Sequence, residues 1–523
     1  MPHARTASSQ QGLGSAPLTT RLAALVAVLA LVTSGCSGSD DAGDSGDASS
    51  SGTAPEITAR STPRAGTDQS STLPATGSAG ANEVGDPITP GDGSGGIDVA
   101  HYDLDIDARD RTGRIEVIDR LEIEATQDLT AFSLDLAGMD LGPVTVNGSE
   151  AVTSRVGNDV TITPDRTIPN GSRFVVELRY DGIPEPLPDV ALGESLGWLR
   201  SPAGDSYVVA EPGAAKTFIA SNDHPSDPAT FSFTIRTTGT DTAAANGELT
   251  GRTTNGPDTV WNYEMDDPMA TYLVQVAIGD YELTPPDTSD TPTIRNAVVR
   301  SAATKVGPAL SRIREIVDLY ESRFGPYPFD EVGCLVADSP GSFALETQSL
   351  VIMPAVWFGG AAEDSAETVR ILAHEISHQW FGNAVPLARW GDMWLNEGFA
   401  TWAEWWWAEH AGTSTIARET DDAMREATGW RSEFGAVGQP SAENLFSPNV
   451  YGGAALGIEA LRRTVGNAVF DRIVQTWTSR FASTPVRSAD FEALSQEISG
   501  MDLASFFDGW LRSTTLPPMP API

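Results

Sequence analysis

The amino-acid sequence predicts a multidomain α+β protein, an N-terminal antiparallel β-sheet domain over residues 97–285 followed by an α-rich domain over residues 286–523. Three observations carry this. Apolar residues recur with a period of two through the first part and with a helical period through the second, the change falling near Thr293. Turn-forming Gly, Pro, Asn and Asp separate the period-two segments. A chain of 523 residues also has room for two or three domains with a large core.

Taken in order, residues 1–35 read as a signal peptide. Arg5 and Arg21 precede the apolar run LAALVAVLALV, which is too short to span a bilayer as a helix but suits a signal-peptide core. The run ends in TSGC, which resembles a bacterial lipobox. On that resemblance Cys36 is lipidated and becomes the mature N-terminus, although Thr33 stands where the motif has an aliphatic residue. Secretion without a lipid is the alternative. Residues 36–96 are rich in Ser, Gly, Asp and Pro and carry too little apolar surface to fold, so they are expected to form a disordered tether. Cys334, in VGCLVAD, is then a buried apolar residue with no disulfide partner.

The β domain is read from HYDLDID, RIEVIDRLEIEA, DVTITP, RFVVELRY, TFSFTIRT and MATYLVQVAIGDYE. Beyond it, helices are expected at 310–323, 365–381, 393–410, 454–464 and 468–481, with strands near 332–337 and 349–353. Acidic residues number 71 against 33 basic ones, a formal net charge of −38. That balance argues against nucleic-acid binding, which needs a basic face.

The chemistry centres on HEISHQW. Only six histidines occur in the chain, and His374 and His378 stand four apart with Glu375 between them. On a helix they share a face and can address one ion, while Glu375 sits about 100° round, beside the ion. Histidines on a polar helix face are the bland alternative. A zinc site needs a third protein ligand, with the fourth position left to water. WLNEGFATWAE supplies Glu397 on a second helix, and the link between the helices is long enough to bring it back. Glu404, two turns further on, is placed to accept the spare N–H of a zinc histidine. With that partner the metal reading prevails. Trp402, Trp405, Trp406 and Trp407 span most of that helix's circumference and read as core and interdomain packing.

The H-E-x-x-H-x18-E pattern, together with the unaltered W-L-N-E-G-F-A at Trp394 to Ala400, resembles the zinc aminopeptidases of the aminopeptidase N and leukotriene hydrolase type. The resemblance runs from about Asp98 to the C-terminus, taking in AEPGAAKTFIASNDHPSDPATFSFTI and DDPMATYLVQVAIGDYE. It implies a thermolysin-like catalytic domain, one Zn2+ per chain and peptide substrates with a free N-terminus. In SFALETQS, Ala344 to Thr347 resemble the family's A-M-E-N, making Glu346 the residue that grips the substrate amine. Phe343 and Thr347 depart from that motif. Glu211 in VVAEPGA looks like a second acidic contact, with Val209 where a glutamine is common. Tyr451 in NVYGGAA looks like the oxyanion donor, with Gly453 in place of a lysine. The chain after Tyr451 is short beside the further domains of many family members, so a more open site is expected.

The resulting reading is a lipid-anchored, extracytoplasmic aminopeptidase. In it His374, His378 and Glu397 hold zinc, Glu375 is general base, Tyr451 steadies the oxyanion, and Glu346 with Glu211 binds the amine. A zinc endopeptidase of the same fold and a catalytically retired binding protein are the competing readings.

Overall fold

The computed structural model describes residues 77–339, 341, 344–360 and 362–522. The leader, Cys36 and the first part of the tether lie outside these residues, as does Phe343.

The β domain is built on an eight-stranded sheet. Its strands include β1 (Ile97–Asp107), β2 (Ile115–Ala125), β3 (Asp140–Val146), β4 (Arg173–Gly182), β5 (Ala229–Thr238), β6 (Glu248–Asn255) and β7 (Asp258–Met269). The spatial order is β6-β7-β5-β1-β2-β4-β3, closed by Ser149–Glu150 at the edge. Burial alternates as the sequence pattern requires: in β2, Val117, Leu121 and Ile123 point inward while Glu116 and Glu122 point out. One pairing departs from the expected antiparallel sheet. β1 and β5 run parallel, with Phe231 opposite Tyr102 and Ile235 opposite Ile106. Parallel neighbours need a long crossover, and the chain between these two strands provides one.

A second, five-stranded sheet includes Ser206–Val209 and Val276–Gly279. Glu211 emerges directly after the first of these strands. Asn246 fastens this region to the next domain: its amide donates to the carbonyls of Leu273 at 3.0 Å and Gln348 at 2.7 Å.

The C-terminal half carries a small mixed sheet in the order Tyr281–Leu283, Ala297–Val299, Cys334–Ala337, Val351–Pro354, the last three strands parallel. An antiparallel bridge from Ile352 to Leu345 lays the Glu346 segment along its edge. Cys334 is buried and free. The longer helices among the described residues are α1 (Ile313–Phe324), α2 (Ala362–Ser377), α3 (Trp394–His410), α4 (Ile416–Phe434), α5 (Ala454–Val465), α6 (Asn467–Arg480) and α7 (Ser488–Ser499). No helix of the described residues is long and apolar enough to cross a membrane.

Two of these helices, α4 and α7, are not among those read from the sequence. The buried apolar positions of α4 are Ile416, Ala423 and Ala427, a stripe too thin to stand out among its charges. The expected helix over 365–381 ends earlier, at Ser377. An irregular turn, Gln379–Asn383, follows, in which Gly382 has φ 113° and Phe381 leaves the helical region. The tryptophans of α3 pack inside the α-rich domain. Trp402 donates to Glu459 at 3.1 Å, and Trp406 lies against Tyr320 and Phe324.

Residues 77–96 correct the expected tether. They form a packed strap in which Asp86, Ile88 and Ser94 are buried. Composition hid this because the strap is held largely by polar anchors, with Ile88 as its buried apolar residue. Asp86 accepts from the Trp390 N–H at 2.7 Å and faces His224 Nε2 at 3.3 Å, joining the strap to both domains. Burial opposes its ionisation, but His224 and the backbone donors outweigh it and hold the carboxyl below its usual range. Asp86→Ala leaves the buried Trp390 N–H and His224 Nε2 without this partner, a cost of about 1–3 kcal/mol. The expected result is a lower unfolding midpoint in thermal or urea melts; an unchanged midpoint would show that the anchor is not stabilising.

Candidate active site

α2 and α3 pack against each other and bring the sequence-predicted cluster together. His374 lies in the last turn of α2 and His378 directly follows its end, one turn further on, their ring centroids 4.9 Å from each other. Glu397, in the first turn of α3, reaches both: its Oε2 is 3.2 Å from His374 Nε2 and 3.6 Å from His378 Nε2. All three side chains are buried.

The outer ring nitrogens are committed elsewhere. His374 Nδ1 meets Glu404 at 3.1 Å, and His378 Nδ1 meets the Phe381 carbonyl at 3.1 Å. Since carbonyl and carboxylate oxygens accept, each Nδ1 donates a proton outward, which leaves Nε2 as the ring nitrogen that faces Glu397 and that would offer its lone pair to a metal. Bonds of about 2.0–2.2 Å to a tetrahedral zinc place its ligand atoms about 3.3 Å apart. The observed spacings match that edge, so the donor set fits the ion that the spacing predicts.

Glu404 is itself held by Arg370, whose guanidinium also donates to Glu419 at 3.1 Å. Burial opposes the Glu404 charge, but Arg370 and His374 outweigh it and keep the carboxyl low. Neither Arg370 nor Glu419 stands out in the sequence. Arg370 lies one turn before His374, which is the only local signal.

Around the triad the cleft is rich in negative charge. Glu375 is buried, and burial pushes its carboxyl up to about 8, with Glu346 and Glu397 adding to the rise and the two histidines opposing it. A divalent cation on the neighbouring triad acts in the lowering direction. Desolvation disfavours a charged His374, yet Glu397 and Glu404 outweigh it and raise the imidazole well above its usual value. The cluster demands positive charge.

Glu346 and Glu211 converge on the same cleft from the sheet edge and from the β domain. Both are buried, and Oε1 of each has no hydrogen-bond partner. Burial raises both carboxyls, and for Glu211 the neighbouring Glu346, Glu397 and Glu375 raise it further. Two orphaned buried carboxyl oxygens in one cleft are each able to accept a hydrogen bond from a cationic donor.

Tyr451 sits in the turn Asn449–Gly453, its ring stacked on His374 at 6.0 Å. Burial and the surrounding carboxylates raise its phenol well above the usual value, so the hydroxyl remains a donor. Gly398 makes this placement possible: a Cβ there would lie 2.6 Å from Ala454 Cβ, so α5 approaches α3 only over a glycine. Gly453, standing where the resemblance expects lysine, touches Asn449 in the same way, with Oδ1 2.6 Å from an added Cβ.

Sequence reasoning missed Tyr272, which is buried between the domains. Asn396 donates to its hydroxyl at 3.5 Å, and its ring packs edge-on against Trp390. Burial first, then Glu346, Glu211 and Glu397, raise its phenol well above the usual value, leaving an O–H within reach of Glu346. It lies in the apolar run MATYLVQV, where a tyrosine reads as core.

A peptidase family M1 domain matches residues 309–510. A leucyl aminopeptidase of Saccharolobus solfataricus is 25% identical over 446 residues, covering 80% of this chain and 54% of that protein. An aminopeptidase N of Streptomyces lividans is 24% identical, covering 80% and 50%. The chain thus spans about half the length of these relatives. Among solved structures, a mutant M1 zinc metallopeptidase of Deinococcus radiodurans bound to a Tyr-Ser-Ala substrate superposes with a TM-score of 0.75 at 30% identity, covering 84% of this chain and 100% of that one. Fold, metal-fitting triad and these likenesses agree: the chain belongs to peptidase family M1, the zinc metallopeptidases that include aminopeptidase N.

Proposed function

We propose that this protein is a zinc aminopeptidase that removes residues from the free N-terminus of peptides. The observation that carries the reading is the pair of orphaned carboxylate oxygens of Glu346 and Glu211 beside the metal-fitting triad. An α-amine, with a pKa of about 7.7–8.0 in peptides, stays protonated beside two carboxylates and satisfies both.

In this reading His374, His378 and Glu397 hold the zinc, and Glu404, braced by Arg370, orients His374. The bound metal supplies a Lewis acid that polarises the scissile carbonyl and acidifies water. Glu375 takes the proton of the attacking water and delivers it to the leaving amine. Tyr451 donates its hydroxyl to the developing oxyanion. Glu346 and Glu211 fix the ammonium, so the bond presented for cleavage is the first one.

The comparison that tests this sets free-amine against N-acetylated aminoacyl fluorogenic substrates. Wild-type protein is expected to cleave only the free form, because acetylation removes the charge and two donors. Glu346→Ala should lose most of that activity with zinc content unchanged. Equal rates on free and blocked substrates would instead mark an endopeptidase of the same fold.

Glu375→Gln is expected to keep one zinc per chain by metal analysis while losing nearly all turnover, since Glu375 is outside the triad. Loss of zinc in that variant would make it a ligand. Tyr451→Phe should lower kcat by roughly 10²–10³ with little change in KM, because its partner charge exists only in the transition state. A raised KM with intact kcat would reassign Tyr451 to packing.

We also propose that the protein acts outside the cytoplasm, held to the membrane by a lipid on Cys36. The supporting feature is the apolar run ending in Ser-Gly-Cys ahead of a Ser/Gly/Asp-rich stretch. Intact mass of membrane-extracted protein is expected to give a lipid-modified species starting at Cys36; an unmodified species with another N-terminus would overturn it.

A further inference from the structure

We infer that Gln379 and Asn383 are positioning residues that set the distance between the amine anchor and the metal triad, and with it the one-residue register of cleavage. This rests on the aminopeptidase reading above.

The Glu346 backbone lies outside any regular ladder. Leu345 bridges to Ile352, and Leu350 N–H closes a turn onto the Thr347 carbonyl at 3.1 Å. The Glu346 carbonyl is served by neither. It accepts instead from two side-chain amides, Gln379 Nε2 at 3.0 Å and Asn383 Nδ2 at 2.8 Å. The other end of the Gln379 amide accepts the Ser349 N–H at 2.8 Å, which fixes which atom is oxygen. Gln379 thus staples both sides of the 346–349 turn. Both amides are buried, Gln379 fully and Asn383 to 1% exposure.

Their position in the chain gives the staple its consequence. Gln379 directly follows His378, and Asn383 closes the same irregular turn, its N–H donating to the His378 carbonyl at 3.1 Å. Within that turn Phe381 offers the carbonyl that orients the His378 imidazole. A single short segment therefore orients a metal ligand through Phe381 and holds the amine anchor through Gln379 and Asn383. In a substrate only one α-carbon separates the amine from the scissile carbonyl, so a drift of about 1 Å in the anchor spoils the alignment of the two. A buried carbonyl stripped of both donors has no reason to stay in place.

The test uses Gln379→Met and Asn383→Leu, near-isosteric changes that remove the donors, in zinc-loaded enzyme. The probes are leucine hydroxamate and 4-methylpentanoic hydroxamate, two zinc chelators that differ only in the α-amine. Each variant is expected to retain one zinc per chain and to bind leucine hydroxamate at least tenfold more weakly. Affinity for the amine-free compound should change less than twofold. If Gln379→Met is not recovered folded, Gln379→Glu carries the same expectation, since it keeps the acceptor for Ser349 and replaces only the donor. Equal weakening for both compounds would show general loosening, and unchanged selectivity would show that the amides do not position Glu346; either overturns the inference. Should wild type itself fail to distinguish the two compounds, the amine anchor falls first and this inference with it.

Discussion

Four carboxylates in one desolvated cleft are the constraint around which the rest of this structure is arranged. Glu211, Glu346, Glu375 and Glu397 are buried within reach of one another, and ionised groups so placed repel unless cations lie between them. The protein answers part of that charge with two imidazoles and, one layer out, with Arg370 on Glu404. What remains is a site with a deficit of positive charge in two places. One lies between the Nε2 atoms and Glu397, where the donor set fits a metal; the other lies at the orphaned oxygens of Glu346 and Glu211, where the proposed substrate ammonium would sit. The division of labour follows from donor type: imidazole lone pairs define the first position, carboxylates alone the second.

Close backbone approach converts that charge pattern into geometry. α3 meets α5 over Gly398, and the irregular turn after α2 meets Asn396 over Gly382, where an added Cβ would lie 2.7 Å from the amide nitrogen. These contacts hold the two helices that carry the triad and the turn that carries Tyr451 as one packed unit. Aromatic packing from Tyr320, Phe324, Trp380 and Trp406 supports it from behind. The turn after α2 is the most economical piece, because it ends a helix, orients a histidine and clasps the neighbouring sheet edge at once.

The β domain is a structural participant in the site. It supplies Glu211 and Tyr272 directly, and Asn246 ties its sheet to the 346–349 turn. The strap adds a second tie, with Asp86 bridging His224 in the β domain and Trp390 just ahead of α3. Trp390 in turn packs on Tyr272. The cleft is thus defined by contacts from both domains.

Local periodicity alone was enough to read the β domain, most of the helices, and the pairing of His374 and His378 on one helix face with Glu375 beside them, because each depends on residues a few positions apart. The H-E-x-x-H-x18-E spacing likewise pointed to Glu397, helical spacing on the second helix pointed to Glu404, and the family likeness pointed to Glu346, Glu211 and Tyr451. What tertiary structure alone decided are the features made by residues far apart in the chain. The parallel pairing of β1 with β5 arises from a crossover that no local pattern encodes. The strap escaped notice because its anchors are largely polar, and hydropathy records only apolar burial. Tyr272, Arg370, Gln379 and Asn383 gain their roles from partners on other elements: a tyrosine in an apolar run or an amide after a histidine has no function until the fold supplies the charge or carbonyl it must meet.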